Sequence, residues 1–167
     1  MKKLFAIAIA ASMLSGLYGF SIGLGAAYDN LAGEEDTDPY FSIRADVMCK
    51  PLPILGLRFG LIQIDLPTDN TTYAFGTGVS ADVLVFIPMA GTINPYIPFG
   101  FWYHGNTGSV LTLKGGLGAN MGFGGFAAYL EAGITFTKIS WDIEGVDDPD
   151  ATNPFYVQGG VRIPIGM

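Results

Sequence analysis

From residue 20 onward the chain alternates apolar and small or polar residues with a period of two, in eight separate segments. No other feature narrows its possible folds so much, because a period of two belongs to strands that present two faces to two environments. The first segment is Phe20-Ser21-Ile22-Gly23-Leu24-Gly25-Ala26-Ala27-Tyr28. In the second, Phe41, Ile43, Ala45 and Val47 alternate with Ser42, Arg44 and Asp46; in the third, Leu55, Leu57, Phe59 and Leu61 alternate with Gly56, Arg58 and Gly60. The fourth sets Phe75, Thr77, Val79, Ala81, Val83 and Val85 against Gly76, Gly78, Ser80 and Asp82. The apolar phase continues as Ile97, Phe99, Phe101 and Tyr103, then Leu111, Leu113, Leu117 and Ala119. It ends with Ala128, Leu130, Ala132, Ile134 and Phe136, and with Val157, Val161, Ile163 and Ile165. One fault interrupts it: Ile62-Gln63-Ile64-Asp65-Leu66 reverses the phase after Leu61, which predicts a bulge or an exit from the membrane there.

Half the residues are apolar, yet nothing after the N-terminus approaches the roughly 18-residue apolar run of a membrane helix. Gly 24, Phe 12 and Tyr 8 favour strands and tight bends and indicate an all-β chain. The chain has room for one domain, residues 20–167. Residues 1–19 carry Lys2 and Lys3, the apolar run Leu4–Ala11 and the small, turn-prone Ser15–Gly19, the pattern of a secretory signal peptide cleaved after Gly19 or Gly16. Cys49 is the single cysteine, which excludes an intramolecular disulfide and a cysteine metal cluster.

The connections alternate in length. Lys50–Pro53, Pro88–Thr92 and Gly122–Gly125 are compact, whereas 29–39, 67–72, 104–109 and 141–154 are longer and more polar. Short turns at one end and long loops at the other are the habit of an outer-membrane barrel. The charges within the segments, Arg44, Asp46, Arg58, Asp82, Lys114, Glu131 and Arg162, all fall on the non-apolar phase. A soluble sandwich shares that property, but its wet face carries several charges per strand; here the phase is mostly Gly, Ser, Thr and Ala, which suits a crowded narrow lumen. Tyr28, Tyr40, Phe41, Tyr73, Phe75, Trp102, Tyr103, Trp141, Phe155 and Tyr156 gather near segment ends, as interfacial girdles do. In hydrocarbon every backbone donor and acceptor needs a partner, so such a sheet must close. The expectation is an eight-stranded antiparallel up-and-down transmembrane β-barrel.

With these features the chain resembles the small eight-stranded outer-membrane β-barrel proteins, the group that includes the OmpA membrane domain and OmpX. Asn94-Pro95-Tyr96-Ile97-Pro98-Phe99-Gly100-Phe101 and Leu113-Lys114-Gly115-Gly116-Leu117-Gly118-Ala119-Asn120 look like that group's fifth and sixth strands. The resemblance is architectural and covers nearly the whole chain after residue 19. It implies residence in the bacterial outer membrane, contact with its lipids, and a structural or surface-interaction role. One departure is the end, Ile163-Pro164-Ile165-Gly166-Met167, where the family commonly has an aromatic residue that assists assembly.

For chemistry, the interior charges are expected to pair, since unpaired buried charges are costly. A small-solute pore or transporter is the alternative. The acidic loops carry Asp29, Glu34, Glu35, Asp36 and Asp38, then Asp142, Glu144, Asp147, Asp148 and Asp150, without Lys or Arg. Without Lys2 and Lys3 the balance is 6 basic against 15 acidic residues, a net −9. Those loops offer carboxylates to divalent cations or to an extracellular ligand, but their spacing is not that of an EF-hand. No cofactor, metal ligand set or catalytic residue is expected. His104 and Ser109, read as loop residues beyond the fifth strand, are the one pair a lipid-modifying enzyme could use, and they lack a third member. An acidic chain without a basic cluster speaks against nucleic acid, and a monomer is expected.

Overall fold

The computed structural model describes residues 19–29, 40–66, 74–76, 78–105, 108–141 and 150–165. The export segment before Gly19 and most of the acidic loop residues lie outside these.

The strands are β1 (Phe20–Asp29), β2 (Tyr40–Leu52), β3 (Leu55–Leu66), β4 (Ala74–Gly76), β5 (Val79–Phe86), β6 (Ile93–Gly105), β7 (Gly108–Gly122), β8 (Ala127–Trp141) and β9 (Phe155–Ile165). Every pairing is antiparallel. β4 and β5 both pair with β3, at Ile64↔Phe75 and Arg58↔Asp82, and are two stretches of one wall strand interrupted beside Gly78. The wall therefore has eight strands in up-and-down order. It closes where β9 returns to β1, from Phe20↔Ile165 to Asp29↔Tyr156. Both described ends of the chain lie at the rim that carries the short turns.

The sequence fault at Leu61 is a bulge. Ala45 faces Ile62, but the next pair is Asp46↔Gly60, so Leu61 has no opposite number. The extra residue restores the phase: Gln63 lies beside Arg44 and Asp65 beside Ser42, in the register of the inner face, while Ile62 remains outside. Three turns at the same rim span 53–54, 87–92 and 123–126. In the last, Gly124 has φ +77°, a left-handed conformation that glycine adopts without strain. At the opposite rim the β6–β7 connection is shorter than expected. β6 runs to Gly105 and β7 starts at Gly108, so His104 and Ser109 are strand residues and not loop residues. Trp141 likewise ends β8, and Thr152 bridges to Thr137.

The polarity of the fold is inverted relative to a soluble domain. Leu24, Leu117, Leu130 and Ile163 stand outside at 56%, 68%, 63% and 57% exposure, whereas Arg58, Glu131 and Arg162 are at 3% or less inside. A sandwich in water would bury the apolar phase and expose the charges. The buried apolar residues are few, and four of them, Met48, Leu84, Phe86 and Tyr96, form one layer near the short-turn rim.

Two aromatic assignments need correction. Trp102 and Tyr156 belong to the inner face: Trp102 packs over Gly78, and Tyr156 is fully buried. Tyr28, Phe41, Tyr103 and Phe155 keep the outer face. The side chains of Tyr40, Tyr73, Phe75 and Trp141 lie outside the described residues.

Candidate functional site

The candidate site is the lumen, and its construction starts from glycine. In a narrow closed sheet, inward side chains on neighbouring strands compete for one axis. Rows of paired residues across the wall resolve this by alternating large and absent side chains. Asp82 on β5 faces Gly100 on β6, which faces Lys114 on β7. Tyr96 faces Gly118, which faces Glu131 on β8. Asp46 faces Gly23, which faces Arg162 on β9. A Cβ on Gly23 would sit 2.7 Å from the Asp46 carboxylate oxygens. Each vacant glycine position lets groups two strands apart lean together.

Glu131 is the hub. Its carboxylate accepts from Arg58 through both guanidinium ends, at 3.0 and 3.2 Å, a bidentate arrangement. It also accepts from the hydroxyls of Tyr96 at 3.1 Å and Tyr156 at 2.9 Å, and from the amide of Gln158 at 2.7 Å. Arg58 donates its Nε to Asp82 as well, and the Lys114 ammonium lies 3.0 Å from Asp82 and 3.9 Å from Glu131. All the central carboxylates therefore face cations already, which leaves no vacant oxygen cluster for a metal ion; no metal-holding group of acids, histidines or cysteines occurs among the described residues.

Two further layers flank this centre. Towards the long-loop rim, Arg44 pairs with Asp29 at 2.8 Å and donates to Ser42 and Gln158. Asp29 is thus a lumen residue at the end of β1, a correction to its assignment to the acidic loop. Among the described residues, the ion pairs of the lumen join four cations, Arg44, Arg58, Lys114 and Arg162, to four anions, Asp29, Asp46, Asp82 and Glu131. Towards the short-turn rim the Arg162–Asp46 pair is looser, at 3.5 Å, with the guanidinium 4.3 Å from the centre of the Tyr129 ring.

All seven charges expected inside are there and in ion pairs. Of the aromatic and amide partners, Tyr96, Tyr129 and Gln158 carry no lumen assignment from the sequence and Tyr156 only a girdle one, although each falls on the non-apolar phase of its segment. His104 pairs with Val110 and Ser109 with Gly105. These are consecutive register positions, which alternate between the faces of a sheet, so the pairing gives no support to a Ser–His dyad.

A closed eight-stranded antiparallel barrel with an apolar exterior and a charge-filled lumen defines the architectural class of the small outer-membrane barrels. No family model matches the chain, and no curated protein does. Solved structures do match. Neisserial surface protein A (NspA) superposes with a TM-score of 0.58 at 12% identity, over 88% of this chain and 97% of that one. The N-terminal β-barrel domain of Pseudomonas aeruginosa OprF gives 0.49 at 11% identity, over 87% and 97%. The de novo designed TMB2.3 gives 0.48 at 11% identity, over 90% and 96%. At such identities the likeness is one of fold, and it is the NspA superposition that carries it.

Proposed function

We propose that this chain is an integral protein of the bacterial outer membrane, a monomeric barrel with a structural or surface-interaction role and no open channel. The observation that carries this reading is the inverted polarity. A continuous apolar exterior has its natural solvent in lipid tails, and the balanced charges inside need a dry wall around them. The lumen argues against the pore alternative, because the Arg58–Glu131–Tyr96–Tyr156 cluster fills its centre. The cavity lined by Arg44, Arg58, Gln63, Asp82 and Lys114 measures only about 40 Å3. The segments beyond the long-loop rim, rich in Asp and Glu, would then meet extracellular ligands or divalent cations, and the exterior would meet outer-membrane lipids.

The test is to fold residues 20–167 into phospholipid vesicles and compare heated and unheated samples on a gel, with circular dichroism and planar-bilayer recording alongside. The reading expects a β-rich spectrum, heat-modifiable migration, retention in the vesicles and no steady conductance. A monomer that folds in plain buffer would overturn the membrane assignment, and stable single-channel steps would overturn the closed lumen.

A further inference from the structure

The short-turn rim holds a second cavity that the ion-paired lumen does not use. It measures about 410 Å3 and is lined by Lys50, Pro53, Ile54, Phe86, residues 87–90 and Asn94. That size lies within the range of small-molecule sites, about 300–1,000 Å3. Two turns, 53–54 and 87–92, form its walls. Phe86 also belongs to the buried layer with Met48, Leu84 and Tyr96, so the cup borders that layer.

Its chemistry is one-sided. Ile54, Ile87 and Met89 are exposed at 51%, 44% and 60%, giving an apolar wall. Lys50 is the one charged residue among the lining groups, and no carboxylate lines the cup. Its ammonium lies 3.7 Å from the centre of the Phe86 ring, resting on a π face and not on an acid. The nearest inward carboxylate on the same strand, Asp46, is engaged by Arg162. Asn94 adds an amide to the lining. A cation held against an apolar wall, with no carboxylate among the lining residues, is the complement of an anion with an apolar body.

We propose that this cup binds a small organic carboxylate, its apolar part against Ile54, Ile87 and Met89 and its carboxylate on the Lys50 ammonium, with Asn94 as the second donor. A monoanion fits better than a phosphate dianion, since a single ammonium and a neutral amide balance one charge and leave a second unpaired.

The probe is sodium hexanoate, titrated into the isotopically labelled barrel in zwitterionic micelles while backbone amide shifts are followed; 1-hexanol is the uncharged match. Saturable shifts are expected at Lys50, Ile54 and residues 86–90, with little response at Leu24 or Leu130 on the outer wall. Lys50→Gln should weaken the apparent affinity by about tenfold or more, as loss of a charge-assisted bond would, and Lys50→Arg should retain most of it. Equal binding of hexanol, or hexanoate binding unchanged in Lys50→Gln, would overturn the proposal. So would shifts that follow micelle partitioning over the whole outer wall. Heat-modifiable migration of the same samples reports on the barrel separately, so a failure of the cup is distinguishable from a failure of the fold.

Discussion

Replacing Glu131 by Gln changes one oxygen into an amide nitrogen and removes the charge on which the centre of the lumen is organised. The Oε1 atom accepts from Arg58, Tyr156 and Gln158, and Oε2 from Arg58 and Tyr96. The least costly placement puts the new nitrogen at the Oε2 position, where Tyr96 can turn its hydroxyl and become an acceptor. Arg58 cannot, and one guanidinium N–H then faces an N–H. Its remaining bond to residue 131 keeps the charge of the donor but loses that of the acceptor. Hydrogen bonds to charged groups contribute about 1.5–3 kcal/mol each, and removing one partner of a buried pair costs about 3–5 kcal/mol; the loss expected here is about 3–5 kcal/mol. Asp29→Asn is the control. Its partner Arg44 is 22% exposed at the rim, where water screens the pair, and the cost should be about 1 kcal/mol or less. Urea unfolding from vesicles, read by tryptophan fluorescence and by the fraction migrating as folded on an unheated gel, gives both numbers. If the two variants fall within about 1 kcal/mol of each other, the lumen is wet and the argument from a dry ionic core fails.

Leu24→Arg places a charge at the middle of β1 on the outer face and should cost about 2–4 kcal/mol in vesicles; a neutral result would mean that this face meets water. Gly133→Ala puts a Cβ 2.7 Å from the Gly116 Cα across the β7–β8 ladder. The backbone must yield, at about 1–3 kcal/mol, whereas Gly122→Ala, with open space around it, should stay within about 0.5 kcal/mol. The same unfolding measurement separates the two glycines, and equal effects would sink the account of the tight ladder.

Much of this was legible from parity. The alternation locates all eight wall strands, the charges on the quiet phase locate the ion pairs, and the slip at Ile62 locates the bulge. What escaped did so because one residue type suits two environments. A tyrosine or tryptophan near a strand end serves an interfacial girdle or a lumen equally well by composition, so Trp102 and Tyr156 pass for girdle residues. Their phase, opposite to Phe101 and Val157, held the better signal. Asp29 passes for the first residue of the acidic loop that follows it, although it is in phase with Ser21, Gly23 and Ala27. The partners of Glu131 are not legible in the sequence: Tyr96 reaches it across Gly118 and Gln158 stands directly opposite it, and both depend on barrel register, which local pattern does not encode.

The joint between β1 and β9 has a consequence for how the molecule comes to exist. Phe20 and Ile165 are neighbours in the wall and nearly the full described length apart in the chain, so no ring exists until the last strand reaches the first. Before that moment β1 and β9 are open edges, the charges have no enclosed space to share, and the oily outer faces have nowhere to go. Such a topology folds slowly and leaves its intermediates sticky. The closing step of this wall is the arrival of β9 at β1.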